Sequence, residues 1–357
     1  MTDLDLHFPI QSIGDAAFYD CSQLSELRLS SPELTSIGRY AFRGCSGLTE
    51  IVFSPSIQSI GDAAFYDCSG LKSVDLQYGA TSIGDSAFYG CSSLEEVYLP
   101  HGIEALSPAI FAGCSSLSTV DIPPFVREIG DSAFESCSLL SDVTIPQGVT
   151  TIGRYAFSGC SSLTELVLPS SVDTMGESAL MDCSGHTSFY LPTRVTHIAT
   201  STFQGCSGLT EIVLPSSIQS IDASAFAGCS AITTVESLNP TAPILNETAF
   251  DTGVYAVANL FVPEGSLDSY QESDGWKLFA NIKENISSGI DDCTGAELKV
   301  VADGGRICVE GAAPDLPVEV YSLGGQLVYR GVASDFEFSG TGFYLVKVAD
   351  QTVKVVL

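Results

Sequence analysis

The chain has 357 residues, with 43 acidic side chains against 14 basic ones and a formal net charge of -29. That balance excludes the basic footprint that nucleic-acid binding requires and disfavours docking on anionic membranes. No run of 18 apolar residues offers a membrane-spanning helix, and the opening MTDLDLHFPI has neither the basic start nor the apolar core of a secretory leader.

From the first residues onward the chain repeats itself. Cysteines fall at Cys21, Cys45, Cys68, Cys91, Cys114, Cys137, Cys160, Cys183, Cys206 and Cys229, one gap being 24 residues and the other eight 23. A fixed period of this length marks a solenoid, in which each unit packs only on its neighbours, so 357 residues need no single large core. Aligned on the cysteine, the unit reads I-G-x-x-A-F-x-x-C-S-x-L-x-x-[IVL]-x-[IVL]-P, as in residues 82–100 and 151–169. The apolar positions three, six and eight after the cysteine (Leu94, Val97 and Leu99; Leu163, Leu166 and Leu168) end in an alternation that predicts a short strand with one buried face. Ala87, Phe88 and Cys91, at i, i+1 and i+4, predict one turn of helix on the return. Gly84 and Gly153 before it are expected in a turn conformation that side chains resist. Pro100, Pro123, Pro146, Pro169, Pro192 and Pro215 lack a donor and stop the strand. Each unit is thus strand, turn and short helical return, and the strands of successive units pair in parallel into one continuous sheet. Leu4 and Leu6 align with Ile51 and Phe53, so the chain begins in mid-strand, and a trimmed N-terminal segment is expected to precede it.

These residues resemble the leucine-rich repeat, specifically the cysteine-containing 23-residue class of BspA-like bacterial surface proteins. The resemblance covers residues 3–237 and, in NPTAPILNETAF, LFVPEGSLDSY and GWKLFANI, the closing segment of the same family. It implies a right-handed α/β solenoid: about ten repeats over 1–237, then a capping segment over 238–286. In that segment Phe250 echoes the repeat phenylalanine, and Tyr270, Trp276 and Phe279 cover the last unit.

The repeat cysteines read as a buried column of small fillers. Stacked thiols would lie about 5 Å apart with parallel Cβ bonds, a geometry wrong for bridging, and no C-x-x-C pair or histidine cluster offers a metal site. Cys293 and Cys308 lie outside the column, and a disulfide between them stays open. His186 stands where the repeat expects leucine, with Leu180 in place of phenylalanine and Met175 in place of isoleucine. This unit is either a kink or ligand notch, or sequence drift in which a backbone carbonyl satisfies the imidazole.

Positions four, five and seven after each cysteine project from the exposed side of the strands. They carry Asp3, Asp5, Glu26, Glu50, Asp75, Glu95, Glu96, Asp121, Asp142, Glu165, Glu211 and Glu236, against only Arg28 and Lys72, with Tyr98 and Tyr190 as aromatic spots. Twelve acids against two bases make this face the candidate binding surface: it suits a basic patch on a protein, or calcium through carboxylate oxygens. Tyr66 and Tyr89, each two residues before a cysteine, form a second candidate on the return side.

After NIKENISSGIDD the repeat ends. ELKVV, RICVE, PVEVYS, GQLVYR, FYLVKVA and TVKVVL are short alternating strands that predict a small all-β sandwich over 287–357. VEVYSLGGQLVYRG followed by GFYLVKV and a terminal strand resembles the C-terminal sorting domains of type IX secretion in Bacteroidetes, which implies export to the cell surface or release. No G-x-S-x-G, H-E-x-x-H, phosphate-binding loop or Rossmann glycine pattern is present, and no paired carboxylates sit in an apolar stretch. The expectation is a monomeric, non-catalytic extracellular or outer-membrane surface protein without cofactor or metal. It binds host or bacterial surface proteins in an adhesion-type role, and capture of glycans or nutrients is the alternative.

Overall fold

The computed structural model describes residues 2–77 and 79–285, together with 299–303, 306–310, 317–322, 327–332, 338–339, 343–348 and 351–356. The chain divides into two compact units, Met1–Asn285 and Ile286–Leu357.

The first unit is a parallel-sheet solenoid most of whose coils contribute two strands rather than one. The longer strand is the one the alternation predicts, for example Glu26–Arg28, Glu96–Tyr98 and Asp142–Thr144. The second, only two residues long, is the Ser-Ile pair before the glycine, as in Ser36–Ile37, Ser59–Ile60 and Ser82–Ile83. All strand pairs in this unit are parallel and in register coil on coil: Leu4 faces Leu27, which faces Ile51. The sheet is not continuous as expected. The longer strands fall into groups of three, two, two and five, and residues 164–168 belong to no strand.

The return arc is not a helical turn. Ala63, Phe65 and Asp67 donate their amides to Asp85, Ala87 and Tyr89 of the next coil, while Ala64, Tyr66 and Cys68 bond three residues back. Alternate amides therefore leave the coil, which an α-helix cannot allow. Left-handed backbone makes this possible five residues before each cysteine (Ala63, Ser86, Tyr40) and directly before it (Asp67, Gly90, Gly113). The buried side is the expected one: Ala87, Phe88 and Cys91 are fully covered.

The glycine opening the arc serves a different purpose from the one expected. Neither Gly84 nor Gly153 is left-handed. A Cβ on Gly153 would lie 2.5 Å from the Asp131 amide nitrogen of the preceding coil, so the position is kept bare by close stacking of backbones. The one 24-residue spacing is absorbed after a strand, in Ser30–Glu33, where Ser31 is buried and its hydroxyl donates to the Ile10 carbonyl.

The core is a set of columns. Phe18, Phe42, Phe65, Phe88, Phe111, Phe134 and Phe157 stack with centroids 5.0–5.8 Å apart, and the stack resumes with Phe203, Phe226 and Phe250 after Leu180 interrupts it. Beside it run the repeat cysteines, all free thiols and all buried except Cys21. Each buried thiol donates to a carbonyl of the preceding coil, as Cys91 does to Phe65 at 3.3 Å and Cys137 to Phe111 at 3.2 Å. They are fillers that also hydrogen-bond. Burial pushes Cys114, Cys160 and Cys183 well above the usual thiol range and Cys137 up to about 12.

His186 departs from the reading in which a carbonyl satisfies it. The side chain is buried, packs edge-on to Phe189 at 5.6 Å, and neither ring nitrogen has a hydrogen-bond partner. Burial alone lowers it to about 4.

Residues 238–285 carry on the parallel sheet: Thr234–Ser237 pairs with Asn259–Pro263, which pairs with Asn281–Asn285. Two short helices, Thr252–Val257 and Leu267–Glu272, lie in this segment. Tyr270, Trp276 and Phe279 are buried there, with the Trp276 indole donating to the Pro243 carbonyl and Tyr270 to the Asn239 carbonyl, each at 2.7 Å.

The second unit holds two antiparallel sheets. One joins Lys299–Asp303, Arg306–Glu310 and Phe338–Ser339; the other has the order Leu327–Val332, Pro317–Ser322, Phe343–Val348, Gln351–Val356. Val318, Val320 and Val346 are buried. Pairing of Cys293 with Cys308 lies outside the described residues.

Candidate functional site

On the exposed side of the longer strands the side chains form rows along the solenoid, one residue per coil and about 4.8 Å apart. The row five after the cysteine reads Glu26, Glu50, Ser73, Glu96, Thr119, Asp142, Glu165, Ser188, Glu211. The row seven after it reads Arg28, Val52, Asp75, Tyr98, Asp121, Thr144, Val167, Tyr190. Register puts Glu26 directly opposite Glu50, and Asp75 opposite Tyr98. Position four is mainly structural: Ser25, Thr49, Ser141 and Thr210 donate their hydroxyls to carbonyls of the preceding coil, while Lys72 and Glu95 are the charged exceptions.

Glu50, Asp75, Glu95, Glu96, Asp121, Asp142 and Glu165 are exposed. Among the described residues the ion pairs on this face are Arg28 with Glu26 at 3.2 Å and His7 with Asp5 at 3.7 Å, and none of those seven carboxylates has a basic partner within 4.0 Å. Like charges held in register cost stability unless something neutralises them.

The face is less uniform than its sequence. Glu26 and Glu211 are half-buried, and so is Tyr190, whose hydroxyl burial pushes up to about 12. Glu236 is 6% exposed and accepts from the Asn285 amide at 2.7 Å, so it does not belong to the open face. Its row continues through Phe261 to Lys283, a base that the repeat period does not reach.

Two shallow recesses indent the rows. One is lined by Asp142, Thr144, Gln147, Glu165 and Val167; the other by Glu96, Tyr98, His101, Asp121, Pro123 and Pro124. In the second the Tyr98 hydroxyl donates to Glu96 at 3.2 Å, and the charges of Glu96 and then Asp75 hold the phenol above its usual range. Val52, Tyr98 and Val167 stand about half exposed between the carboxylates. The two valines went unnoticed in the sequence, although outward-facing Val in an alternating strand is the signal that marks them. Among the described residues no group of three or more His, Cys, Asp or Glu side chains is arranged to hold a metal ion.

The BspA-type leucine-rich repeat region matches residues 11–141 and 127–253, in six copies. The chain belongs to the BspA-type leucine-rich repeat family. A leucine-rich cell surface protein from Faecalibacterium prausnitzii is 28% identical, with 78% of each chain covered and a TM-score of 0.48. A leucine-rich repeat protein from Bacteroides ovatus is also 28% identical, over 64% of this BspA-type chain and 82% of its own, with a TM-score of 0.36. The pneumococcal vaccine antigen PcpA shares the fold at 17% identity and a TM-score of 0.51, over 77% of this chain and 75% of that one. No curated protein matches the sequence.

Proposed function

We propose that this BspA-type chain is a non-catalytic binding protein of the bacterial surface or its surroundings, and that the strand face engages a basic patch on a partner protein. One observation carries the reading: seven exposed carboxylates lie at coil spacing on the strand face, and among the described residues none of them has a basic side chain within 4.0 Å. A partner's lysines and arginines would relieve that repulsion, while Val52, Tyr98 and Val167 add apolar area between the charges. The cell-surface description of the Faecalibacterium relative accords with this setting.

The test is a binding screen of the purified chain against host matrix proteins and bacterial surface proteins. It is repeated with Glu50→Gln, Glu96→Gln, Asp142→Asn and Glu165→Gln combined. Binding that falls at least about tenfold in this variant and weakens with salt supports the reading. Binding indifferent to both sinks it.

We also propose that the second unit directs export, on the resemblance of VEVYSLGGQLVYRG and GFYLVKV to type IX sorting domains. A reporter fused to residues 286–357 would then leave a bacterium that has that machinery. A reporter retained in the periplasm would overturn it.

A further inference from the structure

Away from the strand face, the return arcs of the first four coils carry a column that the fold does not require. Two residues before the cysteine stand Tyr19, Arg43, Tyr66 and Tyr89, whereas the other six copies have Ala112, Glu135, Ser158, Met181, Gln204 and Ala227. Tyr66 and Tyr89 stack face to face at 4.5 Å. The Arg43 guanidinium lies 4.5 Å from the Tyr66 ring, 5.7 Å from Tyr19 and 5.7 Å from Tyr40. Tyr40 itself sits in left-handed backbone at φ 56°, a position that most copies give to Ala or Ser. Tyr155 takes the same conformation in a later coil at φ 55°, so the backbone there belongs to the repeat, and what is particular to Tyr40 is its place beside Arg43.

Tyr66 is stacked on Tyr89 and has the Arg43 guanidinium near its ring, while phenol hydroxyls, ring edges and the guanidinium rim form a strip one side chain wide. Tyr19 is 46% exposed at one end. The exposed carboxylates of Asp20 and Asp67 flank the strip. Arg28, Arg39, Arg154 and Arg194 each have an acidic partner, but among the described residues no carboxylate lies within ion-pair distance of Arg43. The strip is thus a line of donors and acceptors repeating at coil spacing, about 4.8 Å.

Two partner chemistries fit poorly. An anionic chain would meet Asp20 and Asp67; a lysine- or arginine-rich peptide would meet Arg43. A neutral chain dense in hydroxyls meets neither penalty, pairs its diols with planar carboxylate and guanidinium groups, and lays its oxygens against the electropositive ring edges. We infer that Tyr19, Arg43, Tyr66 and Tyr89, with Tyr40, Asp20 and Asp67, form a binding strip for a neutral glycan chain lying along the solenoid. This site is separate from the strand face and does not depend on the reading given to it.

The test is affinity electrophoresis of the full chain through gels containing a soluble β-glucan, an α-glucan, a xylan or a galactomannan. The expected result is retardation in at least one gel, unaffected by added salt. Affinity should fall at least about tenfold in the Tyr66→Ala, Tyr89→Ala double variant and remain unchanged in the four-site strand-face variant. Melting curves check that the double variant folds. If it melts early, Tyr66→Phe with Tyr89→Phe, which keeps the stack and removes the hydroxyls, is read in its place, with weakened binding expected. No retardation in any of the four gels overturns the inference. So does retardation that these tyrosine variants leave intact, and so does loss of a protein partner instead of a glycan in the double variant.

Discussion

His186 is a side chain that the repeat would not have chosen. Its ordinary value near 6.5 falls to about 4 through burial, so the unfolded chain takes up a proton before the folded one as pH drops. The neutral imidazole's share of stability is complete above about pH 6.5 and drains away between there and pH 4. The shift corresponds to about 3 kcal/mol. Urea melts at pH 7 and pH 4.5 should therefore show a loss in the wild type that His186→Leu avoids, and the variant should be the more stable at both. Equal pH slopes in the two proteins would contradict this. Thiol labelling tests the cysteine column. Under native conditions at pH 8, Cys21 should alkylate quickly, while Cys91, Cys114, Cys137, Cys160 and Cys183 stay unmodified until the chain unfolds. Peptide mass mapping reads the outcome, and fast modification of any of those five would mean that the column is open.

At the level of the coil, the bare glycine is a spacing device, and two copies give a matched comparison. Gly153→Ala places a Cβ 2.5 Å from the Asp131 amide nitrogen and should cost about 1–3 kcal/mol, whereas at Gly14 nothing lies within 4 Å and the same change should be nearly silent. Thermal melts of the pair decide it; equal effects would mean that close stacking is not the reason for the glycine. This element also marks where sequence reading stopped. The 23-residue period, the outward-facing acids and the buried Ala-Phe-Cys trio were all legible, because burial repeats with the cysteine. The return arc was misread as a helical turn because i, i+1, i+4 burial is shared by a helix and by a run of turns. The residues that tell them apart, left-handed Ala63, Ser86 and Tyr40, are types that give no sign of such a conformation. The two-residue strands were invisible for a simpler reason: two residues are too few to show an alternation. The strand rows were legible as charge, but the covering of Glu236 by Asn285 comes from outside the repeat.

Across the whole molecule, a charge of -29 acts against the compact state. Salt should raise the melting temperature, most steeply up to about 0.1 M, where the screening length shortens to about 10 Å, and the four-site strand-face variant should show a smaller rise than the wild type. A melting temperature indifferent to salt would mean that the rows repel too weakly to matter. The coils themselves are joined unequally around their circumference. On the return side three amide hydrogen bonds link every coil to the next, from Ala16, Phe18 and Asp20 at one end to Ser224, Phe226 and Gly228 at the other, the last of these reaching the Asp251 carboxylate. On the strand side the pairing lapses several times. A body bonded without a gap along one edge and intermittently along the other has no single bending stiffness. Under load it should resist stretching along the return arcs, as a spine does, and yield first by parting the longer strands.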